Sequence, residues 1–212
     1  MNIHTIYSLF TSYFRSKRMK LFFDTLNPDE NTKILDVGGC QNFWSKLNCS
    51  SKITLLNIKI SPKDAVFRSK YTYIEGDGTS LPFKDKSFDI VFSNSVIEHL
   101  STYDNQVKFA KELTRVGKNI WVQTPAKYFF VEPHLIAPFI HFLPKNVQKY
   151  LIRYFTVWGL VAKPSQKDIV NFLKEVRMLN YKEMGSLFPE CMVQKEFFLG
   201  MAKSYIAIGL TK

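Results

Sequence analysis

Over the first 125 residues the apolar positions fall into short, nearly continuous runs. KILDVG (33–38), KITLLNI (52–58), YTYIEGD (71–77), SFDIVFSNS (87–95) and KNIWVQTP (118–125) each read as a strand, the last stopped by Pro125. Runs of that kind, apolar on both faces, suit a parallel sheet covered on both sides. The segments between them have a different period. NFWSKL (42–47) reads as a short helix, and SPKDAVFRSK (61–70) as a polar connector with room for a helical turn. TYDNQVKFAKELTRV (102–116) is an amphipathic helix, with Val107, Ala110, Leu113 and Thr114 on one side. Ahead of the first strand, Ile3, Ile6, Tyr7, Phe10, Tyr13 and Phe14 recur at helical spacing and predict a helix over 3–23, ended by the turn NPDE (27–30). Strands alternating with helices predict a doubly wound α/β domain up to about residue 125.

Residues 126–165 break this rhythm with nine aromatics, four prolines and two histidines. A structureless loop of that length is improbable in a compact domain, so the segment is expected to be a helical lid. PKNVQKYLIRYFTVW (144–158) reads as helical. Lys145, Lys149 and Arg153 stand four apart on one face, and Val147, Leu151, Tyr154 and Trp158 lie largely elsewhere. SQKDIVNFLKEVRML (165–179) follows as a helix capped by Ser165, with Asp168 completing a capping pattern. Two strands are expected in the tail, around 181–188 and 204–211. The whole chain reads as one domain over 1–212, with an N-terminal helical cap (1–26) and the lid (126–165).

Composition narrows the class. At 212 residues, 46% hydrophobic and 22% charged, the chain has an ordinary globular make-up. The formal charge of +11 favours phosphates, nucleic acid or anionic lipid as partners, although the lysines are scattered rather than blocked. Cys40, Cys49 and Cys191 show no metal-ligand spacing, and an odd count argues for a reducing compartment. The N-terminus lacks the charge order of a signal peptide, and no uncharged apolar run is long enough to span a membrane. The expectation is a cytoplasmic protein, with peripheral membrane contact kept open, and no metal.

The chemistry gathers at the first turn, ILDVGGCQN. A strand running into adjacent glycines and then a helix is where nucleotides sit in open α/β sheets, beyond the carboxyl ends of the strands. Glycine lets the backbone approach a ligand closely, and a helix N-terminus offers unpaired amides. The spacing is not that of a dinucleotide fingerprint, because Gly38 and Gly39 are adjacent and Cys40 and Asn42 follow. Asp36 ends the first strand and Asn57 the second.

Together with YIEGDGTSLPFKDKSFDIVFSNSVIEHL (73–100), these residues resemble the class I S-adenosylmethionine-dependent methyltransferases of the small-molecule kind. The likeness covers about residues 30–125 well and the final strands loosely. It implies a Rossmann-like, seven-stranded, mostly parallel sheet with an antiparallel last strand, and S-adenosylmethionine as cofactor. Asp36, Gly38, Gly39 and Cys40 would border the cofactor's methionine end. Asn57 would take the ribose position, or Lys59 if the strand runs two residues longer. Asp77 and Gly78 would meet the adenine, Asn94 and Ser95 would line the methyl-donor pocket, and Glu98 and His99 fill the family's EH positions. The chain departs from the pattern at Cys40 and Asn42, which replace glycines, and at Asn57, which replaces an acid. An uncharged residue there gives up the charge assistance that roughly doubles a hydrogen bond, so weaker cofactor binding is expected.

Plainer readings stand beside these. Asp36 could cap its turn through backbone amides, Asp77 could make a simple Asx turn, and Glu98 could favour a helix dipole. For a base that removes a proton from the acceptor, the candidates in order are His134, His99 and Glu132. His134 and Glu132 sit in FFVEPHLIAP, an ionisable pair among prolines and phenylalanines. His141 reads as a face residue of the lid. The acceptor is expected to be a small molecule or a lipid- or sugar-linked one. Nucleic acid is disfavoured, because SNSV stands where base-amino methyltransferases carry an NPPY-like motif. The competing reading is a non-catalytic binding protein that kept the fold with a degraded cofactor loop.

Overall fold

The computed structural model describes residues 3–60 and 70–211, with 3–11 described by backbone alone. All of the connector expected at 61–70 except Lys70 lies outside the described residues. Helix α1 (Ile3–Leu26) leads into β1 (Lys33–Val37), the single turn α2 (Gln41–Trp44), β2 (Lys52–Asn57), β3 (Thr72–Glu75) and β4 (Phe88–Asn94). A 3-10 turn (Ile97–His99), α3 (Tyr103–Val116) and β5 (Gly117–Pro125) follow. After β5 come a small hairpin of β6 (Val131–Glu132) and β7 (Ala137–Pro138), a second 3-10 turn (Ile140–Phe142), then α4 (Lys145–Phe155), α5 (Val157–Ala162) and α6 (Gln166–Glu175). Helix α7 (Tyr181–Leu187) and strands β8 (Met192–Phe198) and β9 (Met201–Gly209) complete the chain.

The seven strands lie in the order β3-β2-β1-β4-β5-β9-β8. Pairs among β1 to β5 are parallel, and β9 runs antiparallel to both β5 and β8. This is the doubly wound sheet with an antiparallel last strand that the sequence implied. The order reverses between β1 and β4, so the crevice for a ligand opens at their carboxyl ends.

Alternation along β1 distributes its side chains to two cores. Leu35 and Val37 join Leu56, Val91, Phe109 and Leu113 on the α3 side. Ile34 joins Phe22, Trp44, Phe92 and Trp121 on the α1 side. There Phe22 meets Trp121 edge to face at 5.3 Å and Phe92 at 5.4 Å. On α3 the buried face is Gln106, Phe109, Ala110, Leu113 and Val116, with Val107 half-buried against the same core.

Two expectations need correction. The tail strand expected around 181–188 is helix α7, and the hairpin is formed by β8 and β9. Asn180 accepts from the Glu183 amide while the Glu183 side chain accepts from the Asn180 amide, so a capping box starts a helix there. Ile169 and Leu173 of α6 share a core with Leu135, Ala137, Ile140 and Ile152, so α6 packs on the segment 126–165 that is expected as a lid. The predicted cap of α6 is present, with Ser165 and Asp168 bonded reciprocally. The single helix expected over 144–158 is broken at Thr156, whose hydroxyl donates to Ile152 and accepts from the Gly159 amide. A Cβ at Gly159 would stand 2.0 Å from the Ile152 carbonyl oxygen, so the tight break needs glycine.

Candidate functional site

A cleft of about 320 Å³ opens at the carboxyl ends of β1, β2 and β3. Gly38, Asn57, Lys59, Asp77 and Gly78 line it. Strand β2 stops at Asn57, with Lys59 two residues beyond its end. The Asn57 side-chain amide donates to the Gly39 carbonyl at 2.9 Å and fastens the glycine turn to β2. Asp77 faces the cleft and makes an Asx turn as well, accepting from the Thr79 amide at 2.8 Å. The apolar walls, Val96, Leu100 and Phe109, were not read from the sequence as site residues. Phe109 explains Gly78, because a Cβ there would stand 2.5 Å from its ring.

The turn itself is built around Asp36. That carboxylate is buried and accepts from the Trp44 indole at 2.7 Å, not from backbone amides, while its other oxygen has no partner. Burial pushes its pKa up to about 7, against the pull of the Trp44 hydrogen bond. A Cβ on Gly39 would overlap the Asp36 carboxylate, so only glycine fits. Gly38 has φ +82°, a left-handed conformation that also favours glycine. Cys40 is exposed at the start of α2. That helix is four residues long, so it offers amides but little macrodipole.

Asn94 and Ser95 end β4 beside the cleft rather than in its lining. Asn94 accepts from Arg18 of α1 at 2.6 Å, and the same buried guanidinium pairs with Glu196 of β8 at 2.7 Å. Ser95, at φ +58°, donates to Gln123 on β5 at 3.0 Å. Arg18 gave no sign in the sequence, where it is one of a run of basic residues in a surface-like helix.

On the far side of the 3-10 turn the other candidates converge. Val96 and Leu100, flanking the turn, face the cleft, while Glu98 and His99 face the lid. Glu98 is fully buried, not solvent-facing at a helix dipole, and accepts from Thr124 at 3.0 Å. His134 stands between the two glutamates, with Nδ1 2.7 Å from Glu132 and Nε2 4.0 Å from Glu98. Glu132, also buried, accepts from the Leu135 amide too. The His99 ring meets the His134 ring edge-on, with centroids 4.7 Å apart.

Burial pushes the Glu98 pKa up to about 7, offset in part by its hydrogen bonds and by His134. Burial alone would lower His134, but the hydrogen bond and charge of Glu132 and the charge of Glu98 prevail, and its pKa is raised. Burial and the neighbouring His134 lower that of His99. Beside this group a recess of about 220 Å³ runs into the lid, bounded by Glu132, Leu135, His141 and Phe172. His141 is therefore a half-buried lining residue rather than a surface one.

The basic row of α4 is used within the lid. Lys145 donates to the Leu173 carbonyl and Arg153 to that of Pro164, while Lys149 lies over the Tyr150 ring. The large apolar residues Tyr150, Tyr154, Phe155 and Leu160 are exposed instead. No helix among the described residues is long and apolar enough to cross a membrane.

Comparison with known proteins places these features. Residues 35–119 match the family model described as "Methyltransferase domain". A "Probable tRNA methyltransferase 9B" of Bos taurus is 30% identical over 122 residues, which is 54% of this chain and 26% of the relative. The match thus spans about a quarter of that relative's length. Among solved structures, a "putative sarcosine dimethylglycine methyltransferase" of Galdieria sulphuraria superposes with TM-score 0.54 at 18% identity, covering 90% of this chain and 63% of its own. A structure titled "Putative Zn-dependent Alcohol Dehydrogenases" from Rhodobacter sphaeroides gives 0.61 at 12% identity, covering 91% and 88%. At such identities the likeness is one of fold.

Proposed function

We propose, from the premise that residues 35–119 form a class I, S-adenosylmethionine-dependent methyltransferase domain, that the chain moves a methyl group from that cofactor to an acceptor held beneath the lid. The observation that carries this reading is a shared boundary. One turn, Val96 to Leu100, lines the cofactor cleft with its ends and presents Glu98 and His99 to the lid. A donor in the cleft and an acceptor in the lid recess would meet across it.

The sulfonium donor is already activated, so the protein mainly aligns nucleophile, carbon and sulfur. Such alignment supplies about 7–11 kcal/mol of a barrier. Gly38, Asn57, Asp77 and Gly78 would grip the cofactor, with Asp36, Gly39 and Cys40 shaping the turn and Asn94 and Ser95 bordering the methyl. Where the acceptor must shed a proton, His134 would receive it at Nε2, with Glu132 fixing the tautomer from Nδ1. His99 and Glu132 are the next candidates.

The aromatic lid and its small recess favour a small, lipid-linked or sugar-linked acceptor. The tRNA-methyltransferase name of a distant relative keeps RNA as the outcome to test against, through the steep salt dependence that phosphate contacts impose.

Calorimetric titration with S-adenosylmethionine and S-adenosylhomocysteine, with NAD as control, tests the premise. Micromolar binding that is lost in Asp77→Ala is expected. Silence towards both sulfur ligands would turn the reading to a binding protein with a disabled cleft. In turnover assays His134→Ala should lower kcat far more than cofactor affinity, and an equal loss of both removes it from the chemistry.

A further inference from the structure

The sequence offered no metal-ligand spacing, yet folding brings Glu98, His99 and His134 together. One ligand atom from each lies within 4.8 Å of the others. Glu98 Oε1 is buried and has no hydrogen-bond partner. An unpaired buried carboxylate oxygen is costly, and its presence calls for an explanation. His134 explains its direction. With Nδ1–H donated to Glu132, Nε2 is turned towards Oε1, 4.0 Å away. When the ring is neutral two lone pairs face one another there, and a positive charge, the proton of the imidazolium or a metal ion, belongs between them.

We propose that Glu98, His99 and His134 bind a divalent cation of the zinc class, with Glu132 as the positioning residue behind His134. Two imidazoles and one carboxylate suit zinc, iron or manganese, whereas magnesium and calcium call for oxygen ligands. Ligands at zinc distances stand about 3.3 Å apart in a tetrahedron. The observed spread of up to 4.8 Å needs closing by as much as about 1.5 Å, through rotation of the exposed His99 and a smaller approach of His134 to Glu98. A histidine ligand that passes its other nitrogen to a carboxylate is the usual arrangement around such ions, and the Glu132 hydrogen bond provides it. Three protein ligands leave a position open, as in sites that take a substrate or water. The ion would also offset the two carboxylates buried on either side of His134.

The site does not rest on methyl transfer, because the ion can be measured without turnover. It does compete with one detail of the reading above. A metal on His134 Nε2 leaves that atom unable to take a proton, so metal content decides which role it has.

The test is titration of chelator-treated protein with cobalt chloride, followed by visible absorption, and with zinc sulfate by calorimetry. One equivalent should bind, with a ligand-field spectrum and no thiolate charge-transfer band. Glu98→Gln keeps the bond to Thr124, and His99→Asn changes an exposed residue, so both should fold with an unchanged circular dichroism spectrum. Each should weaken binding at least about tenfold, and Glu132→Gln by about 10–100-fold. Absence of a stoichiometric ion overturns the site. So does a thiolate band, which would put the ion on a cysteine, or full affinity in Glu98→Gln and His99→Asn. If the ion is absent but S-adenosylmethionine binds, only this inference fails. If the ion binds but the cofactor does not, only the methyl-transfer reading fails.

Discussion

Asp36 keeps a carboxylate away from water with a single indole hydrogen bond, and its other oxygen is unpartnered. Its pKa is raised from 3.8 to about 7, so the folded chain holds a proton that the unfolded chain has released. The stability this gives is fully present below 3.8 and is lost as pH rises through about 7. Glu98, raised to about 7 by burial, adds a slope of the same sign. Asp36→Asn cannot ionise and keeps an acceptor for Trp44. Its melting temperature should therefore fall less between about pH 5 and about pH 8 than the parent's, and should exceed the parent's at the alkaline end. Scanning calorimetry at the two values decides it, and parallel slopes for variant and parent would refute the assignment. The same residue marks a limit of sequence reading. Its position at the end of β1 was legible, but its partner Trp44 sits eight residues away in a turn whose geometry no periodicity encodes.

Helix α1 is pinned rather than draped. Arg18 joins Asn94 at the end of β4 to Glu196 on β8, with both charged side chains largely buried. Removing one member of a buried pair strands the other, at about 3–5 kcal/mol. Arg18→Ala should cost that much in urea denaturation and also weaken cofactor binding by releasing Asn94. Replacing both Arg18 and Glu196 by methionine should recover most of the stability but not the affinity. A double variant as unstable as the single one would mean that the pair itself, not a stranded charge, matters. Among the elements, β1, β2, β4 and β5 were legible because each is a largely buried apolar run, and the half-buried edge strand β3 by its short TYI core. Helix α7 was not, although Asn180 and Glu183 spell a capping box and Tyr181, Met184, Leu187 and Phe188 fall at helical spacing, because seven residues show barely two turns of that period. The segment that carries Glu132 and His134 was legible only as composition. Glu132 and His134 stood out among prolines, but their meeting with Glu98 depends on a hairpin of two two-residue strands.

At the scale of the whole molecule, a formal charge of +11 accompanies an exposed apolar face, aromatic on α4 and aliphatic on α5. Cations with rings beside them suit an anionic bilayer surface, with the apolar side chains entering the headgroup boundary. The protein should co-sediment with vesicles containing phosphatidylserine, less so at high salt, and lose the interaction in Tyr154→Ser/Phe155→Ser. Equal binding to purely zwitterionic vesicles, or none to either, would remove the membrane from the account. The lid that carries this face leaves and rejoins the sheet domain at one spot. Ala126 bridges to Leu179, and the Lys127 amide donates to the Leu179 carbonyl at 2.9 Å. Everything from Tyr128 to Met178 is thus a closed excursion whose two ends already touch. Joining neighbouring ends costs little chain entropy, so such a segment can be exchanged for one of different length that keeps the anchors of Phe129 in the sheet core and Arg177 on Gln106. On the proposed reading the choice of acceptor would be a replaceable cassette, and a lineage would acquire a new substrate by grafting while inheriting its cofactor site.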